Sequence, residues 1–254
     1  DAVFSNFTGA GQTIVIIDDG GQSSHEQFSG RVVFQYDFVE NDSNVYSTDN
    51  THATHVAGIA AGKDWGVAPE ANIILLRGLG GNNGVERALA WTVQNADKYN
   101  VTSVNLSLGF TMIGSDGKRH SLNDLTHRNG FLSDKFAALK SNGVFVTASA
   151  GNSYWYHQQQ GSTYPASDLN VFSVGSVYTD DRGGISFWGR SGGAIDYATS
   201  KDAIAAMSQR STSVVDVFAP GGEVYSGLNG NKYEWLSGTS MASPQVAGFA
   251  AIAQ

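Results

Sequence analysis

Short apolar runs rich in β-branched residues recur at positions 13–17, 73–77, 103–106, 144–147, 171–177 and 214–219. They are continuous rather than alternating, the pattern of strands buried on both faces. Helical spacing lies between them. In 84–99, Val85, Ala88, Leu89, Val93 and Ala96 recur three and four apart, with Asn83 at the N-cap position and Glu86 in the place of a capping box. Positions 131–139 carry a weaker helical pattern and 240–254 a third. Strands alternating with helices imply right-handed crossovers, hence an α/β three-layer sandwich with a mostly parallel central sheet. Segments 110–129 and 180–213 follow neither period and are expected to be long surface excursions. No linker or repeat divides the chain, so 1–254 reads as a single domain.

A chain of 254 residues can bury roughly three quarters of its unfolded surface, so a large core is available. Charged residues make up only 15% against 41% hydrophobic, which excludes a disordered tail or a charged coiled coil. No apolar run approaches the roughly 20 residues that cross a bilayer. With 15 basic against 23 acidic residues, there is no electrostatic footprint for nucleic acid or anionic lipid. The absence of cysteine removes disulfide frameworks, thiolate catalysis and Cys-ligated zinc together. The 31 glycines, well above the average share of about 7%, suit tight turns and close backbone approaches.

Three places carry candidate chemistry. Asp18-Asp19-Gly20 directly follows the first strand, where a parallel sheet presents functional groups; the alternative is a simple Asp-Gly turn. His52 and His55 open a run of small residues that reads as a helix packed closely on the sheet. Three apart, they could chelate a metal, but no HExxH pattern accompanies them. A core-facing His55 would be structural, leaving His52 at the segment's start as the better general base. Gly238-Thr239-Ser240-Met241-Ala242 leads into the last helical stretch. There, backbone N–H groups at the helix start could support charge forming beside a serine hydroxyl, or Thr239 or Ser240 could merely cap the helix.

Chain order narrows the nucleophile system. After Ser240 there is no Asp, Glu or His, which excludes the α/β-hydrolase order, and a chymotrypsin-like order belongs to β-barrels. Asp, His, Ser remains. The series Asp18-Asp19-Gly20 with His25, His52-Ala53-Thr54-His55-Val56-Ala57-Gly58, Gly66-Val67-Ala68-Pro69, Ser107-Leu108-Gly109, Ala150-Gly151-Asn152, Tyr164-Pro165-Ala166, Ala219-Pro220-Gly221 and Gly238-Thr239-Ser240-Met241-Ala242-Ser243-Pro244 resembles, in order and over nearly the whole chain, the motifs of the subtilisin-like serine peptidases, the subtilases.

The resemblance implies a serine endopeptidase with Asp18, His52 and Ser240 as its triad and Asn152 as the oxyanion-hole asparagine. It implies that an extended substrate pairs with Ser107, Leu108 and Gly109 and meets Ala150 and Gly151 as the opposite wall, with Thr163 near the floor of a mostly apolar pocket. Polypeptide substrates, a pro-segment or protein inhibitor as further partners, a monomer and secretion follow in the same way. No cofactor is required. The loop that often holds a tight calcium is reduced here to Lys63-Asp64-Trp65, so that site is expected to be absent, although scattered acids leave room for calcium elsewhere. Ala53 replaces the family's usual glycine and Gln245 its usual histidine. Only 17 residues precede Asp18 and 14 follow Ser240, so both ends are expected to be trimmed. Two other readings stand beside this one. A catalytically silent binding or scaffold module could keep the fold, and the glycines of 78–84, which miss G-x-G-x-x-G by one residue, could approach a nucleotide.

Overall fold

The computed structural model describes residues 7–46, 51–187 and 193–254. Its elements run β1 (Thr13–Asp18), β2 (Val32–Asp37), α1 (His52–Ala61), β3 (Asn72–Arg77), α2 (Gly84–Asn95) and β4 (Val101–Leu106). Next come the short strands β5 (Thr111–Ile113) and β6 (Arg119–Ser121), then α3 (Ser133–Ser141), β7 (Phe145–Ser149), α4 (Tyr154–His157) and β8 (Phe172–Val177). The chain continues through β9 (Ile185–Ser186), β10 (Ile195–Asp196), β11 (Val217–Pro220), β12 (Val224–Leu228), β13 (Lys232–Leu236) and α5 (Thr239–Ala253).

Seven strands form one parallel sheet in the order β11-β8-β7-β4-β1-β3-β2. The continuous apolar runs are explained by β1. Val15 and Ile17 face one layer, where Leu89 of α2 and Phe136 and Leu139 of α3 pack. Ile14 and Ile16 face the other, against Val56 and Ala57 of α1 and Met241 and Ala247 of α5. With both faces covered, every position of the strand is buried. The architecture is therefore the expected α/β three-layer sandwich.

Local details differ from expectation. Asn83 stands at the N-cap of α2 but in a left-handed conformation with no side-chain cap bond, and Gly238, not Thr239 or Ser240, is the N-cap of α5. Strand β2 is half-buried at the sheet edge, so its side chains lack the apolar continuity that marks the others. The two supposed excursions hold antiparallel hairpins, β5–β6 and β9–β10. The second is not merely surface, because Tyr178, Phe187, Ala194, Ala205 and Met207 form a buried cluster there. Part of that segment, 188–192, lies outside the described residues. Among the described residues no helix is long and apolar enough to cross a membrane.

Candidate active site

The buried run of β1 ends on Asp18, which delivers a fully buried carboxylate to the carboxyl edge of the sheet. Asp18 Oδ1 accepts the backbone N–H of Asp19 at 2.8 Å. Its two oxygens lie 2.9 and 3.0 Å from Nδ1 of His52. A ring nitrogen facing a carboxylate carries the proton, so this contact makes Nε2 the basic nitrogen of His52.

His52 heads α1, whose remaining nine residues are all buried; the small residues let the helix lie close to the sheet while its first side chain reaches the cleft. Thr51, the N-cap, makes no side-chain cap bond. Asp19 supplies one instead, its Oδ1 accepting the Ala53 N–H at 3.2 Å. Burial, and then the neighbouring Asp18 charge, push the Asp19 carboxyl up to about 6, partly offset by His52 and the Ala53 N–H. His55 diverges from His52. It is fully buried, its Nε2 donates to the Glu234 carbonyl at 3.1 Å, and burial drives its pKa down to about 4. It is a neutral structural histidine, so the two histidines are not presented together to an ion.

Ser240 is the second residue of α5, in the first turn, where N–H groups lack intrahelical acceptors. Its hydroxyl donates to the Ser107 carbonyl at 3.2 Å, and the Ser107 hydroxyl donates to the Ser240 carbonyl at 2.7 Å. Behind them Asn105 Nδ2 donates to Ser107 Oγ at 2.9 Å, while its Oδ1 accepts Ser243 Oγ at 2.7 Å and Thr147 Oγ1 at 3.2 Å. This buried network ties the first turn of α5 to β4. The Ser107 side chain is thus directed at the helix, which leaves only its backbone for a ligand.

Asn152 follows β7. Its Oδ1 accepts both the backbone N–H and the hydroxyl of Thr239, each at 2.9 Å. Since the Thr239 N–H can only donate, the amide orientation is chemically fixed, and Nδ2 is turned to the Gly238 side of the cleft. Thr239 Oγ1 also accepts the Gly151 N–H at 3.1 Å, locking the asparagine turn to the serine turn. A cleft of about 700 Å³ brings together Asp18, His52, Ser107, Leu108, Gly109, Gly151, Asn152 and Ser240. Ala150 is not part of its lining: it is buried, with its N–H on the Val174 carbonyl and its carbonyl on the Thr163 N–H, so it backs the wall rather than forming it. Leu108 is also mostly buried, its side chain in the core.

The remaining expectations divide. Thr163 does close the pocket, its Cγ2 2.5 Å from where a Cβ on Gly109 would stand. The cleft as a whole carries the polar Thr111, Arg119, Ser121, Ser149, Ser153 and Thr163 beside the apolar Leu79, Leu108, Leu236 and Met241. Gln245 donates to the Pro220 carbonyl. Of the glycines of 78–84, Gly78 and Gly84 pack on one another, a Cβ on Gly78 meeting the Gly84 carbonyl carbon at 3.1 Å, Gly81 packs on Val39, and Gly80 lines the cleft. Sequence reasoning assigned no part to Asp19 and read Thr239 only as a possible cap. The motifs contain both, but each acts on a backbone N–H that only folding brings near.

An α/β sandwich with an acid, a histidine and a helix-borne serine in one cleft defines a class of serine hydrolase architecture. The comparisons name the family: the chain belongs to the subtilases, whose peptidase S8 family model matches residues 9–254. It is similar to alkaline serine exoprotease A of Vibrio alginolyticus, 35% identical over 98% of this chain and 39% of that protein. The thermophilic serine proteinase of Bacillus sp. strain AK1 is 35% identical over 96% of this chain and 52% of its own length. A crystal structure of a cold adapted subtilisin-like serine proteinase matches with a TM-score of 0.73 at 34% identity, covering 98% of this chain and 77% of that one. The chain spans about half or less of the two curated relatives.

Proposed function

We propose that this chain is a serine endopeptidase that hydrolyses peptide bonds in extended polypeptides. The observation that carries the reading is His52 Nδ1 held 2.9 and 3.0 Å from both oxygens of buried Asp18, in the cleft that also holds Ser240 and Asn152. In the proposed reaction the Ser240 hydroxyl turns from the Ser107 carbonyl and attacks the scissile carbonyl carbon as its proton passes to His52 Nε2. Asp18 holds the ring and stabilises the imidazolium. The resulting oxyanion is met by Asn152 Nδ2 and the Ser240 backbone N–H. The intermediate collapses when His52 returns the proton to the leaving amine. Water, deprotonated by His52, then releases the acyl group and restores the serine.

A substrate strand would pair with backbone groups of 107–109, which suits recognition by main-chain hydrogen bonds, with Gly151 on the opposite side. No cofactor enters these steps. We place the protein outside the cell, in keeping with the relative named an exoprotease. Labelling with a fluorophosphonate probe alongside hydrolysis of casein tests the reading. The unaltered protein is expected to label and to cleave, and Ser240→Ala to do neither; equal labelling of the two would overturn it.

A further inference from the structure

The hairpin β5–β6 turns one face to the cleft and ties the other down. Its register pairs Thr111 with Ser121, Met112 with His120 and Ile113 with Arg119. Side chains alternate across a strand, so Thr111, Arg119 and Ser121 share a face opposite to His120. The His120 face is fixed: that ring is buried, stacks on Tyr156 of α4 at 3.6 Å between centroids, and takes Asp116 at 2.9 Å. The other face therefore looks into the cleft, and Thr111, Arg119 and Ser121 line it together with Ser240. Ser121 Oγ accepts the Asn152 N–H at 3.3 Å, which sets this face beside the candidate oxyanion residue and the Gly151 wall.

Arg119 is unusual among the charges there. The other guanidinium in the lining, Arg77, is paired with Asp37 at 2.6 Å, Asp18 is paired with His52, and Asp19 accepts the Ala53 N–H. The carboxylate nearest in sequence, Asp116, is engaged by His120. Arg119 forms no ion pair among the described residues; it only donates to Thr111 Oγ1 at 3.3 Å across the hairpin. A chain of net charge −8 thus presents a cation without an ion-pair partner among the described residues, on the same hairpin face as the hydroxyls of Thr111 and Ser121, to the cleft that Gly109 and Gly151 also line.

We propose that Arg119 is a specificity-determining residue: the pocket it faces receives an acidic side chain on the acyl side of the scissile bond. The inference rests on the peptidase reading for the substrate's direction. The guanidinium supplies the counter-charge and the Ser121 hydroxyl, which accepts the Asn152 N–H, supplies a further donor to the carboxylate. Arg119 is solvent-exposed, so the preference is set by a screened pair, about fivefold.

The test compares peptides that differ only in Glu, Gln or Lys at that position. The unaltered protein is expected to show a kcat/KM about fivefold higher for Glu than for Gln, falling as salt is raised. Arg119→Ala should bring the ratio to one, Arg119→Lys should keep part of it, and Arg119→Glu should favour Lys. A ratio of one in the unaltered protein, or a ratio that Arg119→Ala leaves intact, overturns the proposal. Calorimetric titration of Ser240→Ala with tetrapeptides ending in Glu or Gln reads the same preference without turnover. Absence of hydrolysis would then count against the peptidase reading alone, whereas equal affinities would count against Arg119.

Discussion

At the scale of the residue, the site depends on side chains whose polar atoms are all committed in one direction. Asn152 has its oxygen occupied by Thr239, so its amide hydrogens are the part offered to the cleft. Asn152→Asp keeps the acceptor but replaces that donor with a charged oxygen; kcat is expected to fall by at least about 10² to 10³-fold, the loss known for removal of such a donor in subtilisin, with KM little changed in steady-state kinetics. Ser107 is different. Its hydroxyl bridges the Asn105 amide and the Ser240 carbonyl, so Ser107→Ala strands a buried amide hydrogen. Unfolding in urea should show a loss of about 1–3 kcal/mol. That Asp18, His52, Ser240 and Asn152 line one cleft was legible in sequence, because a fixed order of motifs carries them. The direction of the Ser107 side chain was not, since nothing in Ser107-Leu108-Gly109 says which groups face the neighbouring helix.

At the scale of the element, legibility followed burial. Strands with both faces covered write continuous apolar runs, and the five of them, β1, β3, β4, β7 and β8, coincide with predicted runs to within a few residues, as does the partly buried edge strand β11. The half-exposed β2 left no such mark. The hairpins did leave one that went unread: Asn229-Gly230 separates β12 from β13 and Asp116-Gly117 lies between β5 and β6, both signals of tight turns. Glycines inside helices need a packing explanation, and α5 supplies one. A Cβ on Gly248 would stand 2.7 Å from Val67 Cβ and 2.9 Å from the Ala60 carbonyl oxygen, where α5 crosses α1. Gly248→Ala gains about 1 kcal/mol of helix propensity but overpacks a backbone contact, at about 1–3 kcal/mol. A lowered thermal midpoint is expected, and an unchanged or raised one would show that the helices separate freely.

For the whole molecule, the half-buried Asp19 and the buried His55 set opposite slopes of stability against pH. The folded state holds the Asp19 proton more tightly than the unfolded chain does, since its pKa rises from 3.8 to about 6. That contribution is complete below pH 3.8 and is lost as pH rises through 6. His55 acts the other way. With its pKa lowered from 6.5 to about 4, its contribution is complete above pH 6.5 and is lost as pH falls toward 4. His25, also lowered by burial, adds to the same side. Asp19→Asn should therefore gain stability relative to the unaltered protein as pH rises from 4 to 7, read from urea midpoints across that range; a constant difference would show that Asp19 does not titrate there. None of this was visible in composition, because net charge does not record which carboxyl ends up beneath a helix.

Helix α5 packs against β4, β7, β8 and α1, and it also carries Ser240, which lies 188 positions after His52 (240 − 52). Polypeptides emerge from the ribosome N-terminus first. An unfinished chain that stops short of this helix lacks the central brace of its own interior and the reactive hydroxyl alike. On the proposed reading, reactivity and a finished fold therefore arrive with the same segment, and a chain that stops short of it has neither.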